Sequence, residues 1–153
     1  MTTSAELRKA SFGRLLSQIA RQWRRAVDLR VQPYGLTEAT WLPLLRLSRA
    51  PEPMRQKDLA ASLGLDNSSV VRLLDNLQAA GLVERREGDL DRRAKAIFLT
   101  DRGRTTVDKV EAVARQVRDE VFADIDDAQV ETAFRVLDRI GGVLTRATER
   151  PDP

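Results

Sequence analysis

Apolar residues return every three or four positions from Leu7 to about Val31, at Leu15, Ile19, Trp23, Ala26 and Val27, which predicts a long amphipathic helix. Pro33 and Gly35 close it. Thr37 then stands where a hydroxyl accepts an unpaired helix N–H, ahead of a second helix through Trp41, Leu44, Leu45 and Leu47. Pro43 falls in the first turns of that helix, where a missing N–H costs least, and Pro51-Glu52-Pro53 breaks the pattern. Two shorter helices follow, about 55–63 and 66–80, separated at Gly64, with Asp66 as the N-cap of the second. Val70, Leu73, Leu74 and Leu77 form the buried stripe of that second helix, and Gly81 stops it. Residues 82–86 and 95–99 read as two short strands joined by a polar tip, 87–93, that contains a glycine. Thr100 caps a further helix whose seam is Val107, Val110, Ala114, Val117 and Val121. Asp126 or Asp127 caps the last one, striped by Val130, Phe134, Leu137, Ile140 and Leu144.

Composition narrows the chemistry. A chain of 153 residues with 42% hydrophobic and 32% charged residues fits one domain, or one domain with a helical extension. Without cysteine there are no disulfides, thiol nucleophiles or zinc–thiolate sites, and without histidine the commonest general base and metal ligand are gone. The remaining Asp, Glu and Lys form no compact constellation, so no catalytic residue, metal or cofactor is expected and an enzyme is disfavoured. No apolar run approaches the roughly 18 residues of a membrane span, and the first residues lack a charged stretch followed by an apolar one. A cytoplasmic protein without a membrane partner is the expectation. Net charge is only +3, although residues 1–54 carry 9 basic against 4 acidic side chains. An argument for a nucleic-acid partner therefore has to rest on where particular arginines sit.

Helix, glycine turn, helix and arginine-bearing hairpin is the order of a winged helix-turn-helix lobe. The second helix of the pair divides its labour: the apolar stripe faces inward, while Ser69, Arg72 and Asn76 share an outward face with Ser68 beside them and Asn67 at its start. Such a helix enters the major groove of duplex DNA with its N-terminal half toward base edges. An arginine there donates a fork of hydrogen bonds to guanine O6 and N7, and the positive helix end faces phosphate. Gln56 and Lys57, at the start of the preceding helix, suit phosphate contacts that position without specifying. The run Asp91-Arg92-Arg93-Ala94-Lys95 puts three cations on a loop with no core to serve. Exposed ion pairs contribute only about 0–1 kcal/mol, so stability is a poor reason for that cluster. Arg93 is assigned to a narrow minor groove, with Arg92 and Lys95 beside it and Asp91 and Asp75 orienting its guanidinium.

These segments, namely Leu63-Gly64-Leu65, Ser69 to Leu77, Gly81-Leu82-Val83-Glu84-Arg85, Asp91 to Lys95 and Leu99-Thr100, resemble the MarR family of transcription regulators. Trp23-Arg24, Asp28, Arg30, Pro33, Leu36-Thr37 and Trp41 match its SlyA-like branch in order and spacing, and the likeness spans roughly residues 7–145. The resemblance implies a single MarR-type domain over 1–153, mainly α with a small β-hairpin wing. Residues 7–35 and 101–149 would be dimerisation helices, and 37–100 the DNA-binding lobe. It also implies a homodimer on a pseudo-palindromic operator, its recognition helices about one DNA turn apart.

Members of that family release DNA when a small aromatic acid binds between the dimerisation helices and the lobe. Arg21, Trp23 and Arg24 on the first helix, with Trp41 and Leu45 one turn apart on the next, are the residues here that suit a carboxylate and a ring. The chain departs from the SlyA-like pattern at Leu45, where that branch tends to carry a histidine. The competing reading is a winged-helix module that binds protein partners without reading DNA.

Overall fold

The structure, a computed structural model, describes residues 3–88 and 91–149, and the side chains of 91–94 lie outside that description. The elements run α1 (Ser4–Val31), a 3-10 turn (Gln32–Tyr34), α2 (Glu38–Arg49), α3 (Gln56–Leu63), α4 (Asn67–Ala79), β1 (Val83–Gly88), β2 (Asp91–Leu99), α5 (Asp101–Val121) and α6 (Asp127–Thr148). The chain divides into two compact units, Met1–Val117 and Arg118–Pro153. Among the described residues no helix is long and apolar enough to cross a membrane.

The first unit is built around α2, which is apolar on two sides. Leu44 and Leu47 enter one cluster with Leu59 of α3, Val70, Leu74 and Leu77 of α4, Val83 and Ile97 of the hairpin, and Val107 of α5. Trp41 and Leu45 enter the other, with Val27 and Val31 of α1 and Val110, Val113 and Val117 of α5. Burying a side chain of this size contributes about 1.5–3 kcal/mol, so these two clusters rather than any polar contact hold the lobe together. The seam expected on α5 changes accordingly: Val113 is buried, while Val121 is exposed. Its partners are α1 and α2, which set the helix's rotation, and a sequence cannot display that rotation.

Of two helix starts expected at threonines, one differs. Thr37 does occupy the N-cap of α2, but its hydroxyl makes no capping bond; its carbonyl accepts the N–H groups of Thr40 and Trp41 at 2.8 and 2.9 Å, and the hydroxyl faces that of Thr40 at 3.4 Å. Pro43 lies inside α2 rather than at its opening, fully buried, so one internal hydrogen bond is absent there. The other start is as read: α5 opens at Thr100, whose Oγ1 accepts the Gly103 N–H at 3.0 Å and donates to the Gly81 carbonyl at 2.6 Å. That bond ties the hairpin exit to the end of α4.

In the hairpin, Val83 pairs with Leu99 and the register runs outward to Glu87 with Lys95, then to Gly88 with Asp91 after an irregularity. The strands thus extend well into the segment expected to be a loop, because main-chain pairing continues past the last residues of high strand propensity. The remaining tip, residues 89–90, lies outside the described residues. Arg55 bridges Ala96, and the Ile97 N–H donates to the Met54 carbonyl at 2.9 Å, so the start of α3 is pinned to β2.

In the second unit, α6 starts at a capping box: Asp126 accepts the Gln129 N–H at 2.8 Å while the Gln129 side chain accepts the Asp126 N–H at 3.3 Å. The helix has no buried residue. Phe134 is 67% exposed, with Leu137, Val143 and Leu144 also open. On α1, Leu7, Leu15, Ile19 and Leu29 are likewise exposed.

Candidate nucleic-acid interface

The turn that aims α4 spans three residues. Gly64 sits at φ +64°, which an L side chain adopts only at a cost, and lets the Leu65 N–H return to the Ala60 carbonyl at 2.9 Å. Asp66 then caps α4. Its carboxylate accepts the Ser69 N–H at 2.7 Å and the hydroxyls of Ser68 and Ser69 at 2.7 and 3.1 Å. The Ser69 N–H bond, followed by the two hydroxyl bonds, holds the Asp66 carboxyl at about 2, below the usual carboxylate range. A folded-state value below the unfolded one near 4 means that the cap stabilises the fold fully above about pH 4 and is lost as pH falls through about 2. Asp66→Ala is therefore expected to lower the melting temperature at pH 7, and the gap to wild type should shrink between pH 4 and pH 2. Thermal melts followed by circular dichroism check this.

Ser68 and Ser69, expected to face bases or phosphates, thus spend their hydroxyl protons on Asp66 and present lone pairs outward. They suit a base amino group better than a phosphate, which only accepts. Arg72 is different. It is exposed on the outward face and makes no hydrogen bond or ion pair among the described residues. Asn67 and Asn76 are exposed on the same helix, Lys57 is exposed at the start of α3, and Gln56 is half-buried beside it. On the hairpin Lys95 is exposed, opposite Glu87. Asp91, Arg92 and Arg93 belong to β2 by backbone, and their side chains lie outside the described residues.

One positioning group went unread in the sequence. Arg85 of β1 donates through Nε to Gln78 at 2.9 Å and through a terminal nitrogen to Asp75, joining the hairpin to α4. Asp75, expected to orient Arg93, is engaged by Arg85. The available signal was strand alternation: Arg85 shares a face with buried Val83 and stands opposite Ile97, so it points toward α4. On the other face Arg86 lies over the Phe98 ring, 4.9 Å from its centroid, and donates to Glu84 at 2.7 Å.

Of the residues suggested for an aromatic acid, Trp41, Leu45 and Trp23 meet in one cluster between α1, α2 and α5. Trp41 and Leu45 are core residues, and the Trp41 indole N–H donates to Asp28 at 3.2 Å, so neither forms an open wall. Arg24 pairs with Glu38 at 3.1 Å and Arg21 donates to Ser17 at 2.7 Å. Trp23 is half-buried against the α1–α2–α5 cluster.

A capped helix laid across a second one by a three-residue turn, followed by a two-stranded hairpin, makes this a winged helix-turn-helix protein. The MarR family model matches residues 34–94. The structure resembles the transcriptional regulator PA3341, at 40% identity over 88% of this chain and 98% of that one, with a TM-score of 0.83. It also resembles a MarR-family transcriptional regulator from Rhodococcus sp. RHA1, at 31% identity over 86% and 93% of the two chains and a TM-score of 0.73. A third neighbour is CouR from Rhodococcus jostii RHA1, solved with p-coumaroyl-CoA, at 31% identity over 84% and 90% and a TM-score of 0.70. The chain belongs to the MarR family.

Proposed function

We propose that this protein is a transcription regulator that binds duplex DNA sequence-specifically, as a homodimer on a pseudo-palindromic operator. The observation that carries the reading is Arg72: a guanidinium without a protein partner among the described residues, on the outward face of a helix whose start is capped and whose flank is strapped to a hairpin. A fork donor held on a rigid helix is what base reading in a major groove requires. Its kinship with proteins described as transcriptional regulators supports the same reading.

Dimerisation rests on the apolar faces of α1 and α6. Phe134, Leu137 and Leu144 on one helix and Leu7, Leu15 and Ile19 on the other are too large and too regularly spaced to be incidental exposure. A second copy of the chain would cover them, with residues 7–35 and 101–149 as the dimerisation helices and 37–100 as the DNA-binding lobe. Phe134→Glu is expected to shift the protein from dimer to monomer in sedimentation velocity and to weaken operator binding, since each half-site then binds alone.

The match of Trp23-Arg24, Asp28, Arg30 and Trp41 supports placement in the SlyA-like branch. For the effector, an aromatic carboxylate contacting Arg21, Trp23 and Arg24 of α1 is the class proposed; CouR, solved with p-coumaroyl-CoA, supports the aromatic ring, which that ligand carries as a thioester without a free carboxylate. A ligand reaches Trp41 and Leu45 only by parting α2 from α1 and α5. Selection of bound duplexes from a random pool tests the DNA reading, and titrating salicylate or benzoate against the selected complex tests the effector. Recovery of an inverted repeat supports the reading; a pool that stays random after several rounds contradicts it.

A further inference from the structure

A helix in the major groove has a phosphate backbone on each side of it. One flank of α4 is served by the hairpin and the start of α3, which are held together through Arg55 and Ala96 and carry Lys57, Gln56 and Lys95. The outward face of α4 borders one cleft, and a second continues from it past the end of the helix toward α5. The first, about 400 Å³, runs along α4 past Ser69, Arg72, Asn76 and Ala80, facing the start of α2. At 1.5 Å per residue its length along the helix is roughly 16 Å. The second, about 460 Å³, shares Thr40, Ala80 and Leu82 with the first and continues to Tyr34, Arg102, Thr106 and Lys109.

Among the described residues no acidic side chain lines either cleft, in a chain with 23 of them. Arg102 and Lys109 are exposed and make no ion pair among the described residues, whereas their neighbour Arg104 pairs with Asp101. At i and i+7 they lie two turns apart on one face of α5. The Lys109 ammonium is held 5.8 Å from the centre of the Tyr34 ring, a contact that fixes its direction and leaves its N–H donors for an anion. A cleft with two such cations and no carboxylate among its described residues is built for negative charge, and it is continuous with the cleft that Arg72 borders.

We infer that Arg102 and Lys109 bind DNA phosphates beyond the end of α4, apart from those met by the hairpin and the start of α3. The inference rests on the DNA reading above and adds a backbone contact surface on α5. Phosphate contacts position and strengthen without reading sequence, and each one releases counterions, so each steepens the salt dependence of log K by about 0.9.

The test uses the full-length protein and the selected duplex, with binding followed by fluorescence anisotropy across a salt series. Arg102→Ala and Lys109→Ala are each expected to weaken binding about threefold to tenfold, to lower the salt slope by about 0.9, and to leave the preferred sequence unchanged. Arg102→Lys and Lys109→Arg should keep the wild-type slope. Single neutral methylphosphonates placed along the duplex should weaken wild type at positions where the double alanine variant is insensitive. A double variant with wild-type affinity and slope would overturn the inference, and so would one with altered base preference, while the DNA reading would stand. A wild-type protein that binds no duplex at low salt would remove both.

Discussion

Gly103→Ala is expected to destabilise the protein by about 3 kcal/mol, read as a fall in the urea midpoint at unchanged slope. In an ordinary helix interior the same change stabilises by up to about 1 kcal/mol, so the sign alone is informative. The reason is a close approach of backbones. Gly103 is buried in the first turn of α5, and a Cβ there would overlap the carbonyl oxygen of Leu82 and come within 3.1 Å of its carbonyl carbon. Neither group can move freely. The Leu82 carbonyl accepts the Thr100 N–H at 3.1 Å, the Thr100 hydroxyl donates to Gly81 at 2.6 Å, and the Leu82 N–H returns to the Leu77 carbonyl at 3.0 Å. The alanine methyl must therefore push α5 off the junction between α4 and the hairpin. DNA affinity should fall along with stability, because this junction sets the angle between the reading helix and the wing. Gly141→Ala, where nothing lies within 4 Å of the added Cβ, is the control and should be neutral or stabilising.

Arg72→Ala should leave the melting temperature unchanged and cost about 1–3 kcal/mol in operator binding, roughly five- to 150-fold. The side chain has no partner among the described residues, so its removal breaks no hydrogen bond or ion pair among them. What disappears is a fork of two donors aimed at one base edge. The loss should be confined to the preferred duplex: against random DNA, where phosphate contacts dominate, variant and wild type should bind alike. Reselection with Arg72→Ala should return a consensus relaxed at one base pair of each half-site. A uniform loss across sequences would instead make Arg72 a phosphate contact.

Much of this was legible in the residues. The span of α4 followed from Asp66, the stripe Val70, Leu74 and Leu77, and Gly81, because a cap, a period and a stop are all local signals. The outward placement of Arg72 followed from the same period. The wing was legible as a hairpin but not in its length: residues such as Glu87 and Asp91 have little strand propensity, and their pairing is imposed by the strands already in register. What the pattern could not carry is tertiary. Trp41 and Leu45 looked like pocket walls, since a tryptophan beside an apolar residue reads the same whether a ligand or α5 covers it. Nothing in the sequence marks Gly103, whose constraint comes from Leu82 packed against it. Arg85, Arg102 and Lys109 were three cations among 26, given meaning only by what stands opposite them.

Hydroxyl-radical footprinting of the selected duplex, with guanine N7 methylation interference on the same DNA, separates a paired, groove-reading protein from one that only holds phosphate. Two protected backbone tracts centred about one DNA turn apart are expected, each beside a guanine whose N7 methylation in the major groove blocks wild type but not Arg72→Ala. Protection of a single tract, or interference that is indifferent to residue 72, would contradict a paired molecule reading DNA through α4.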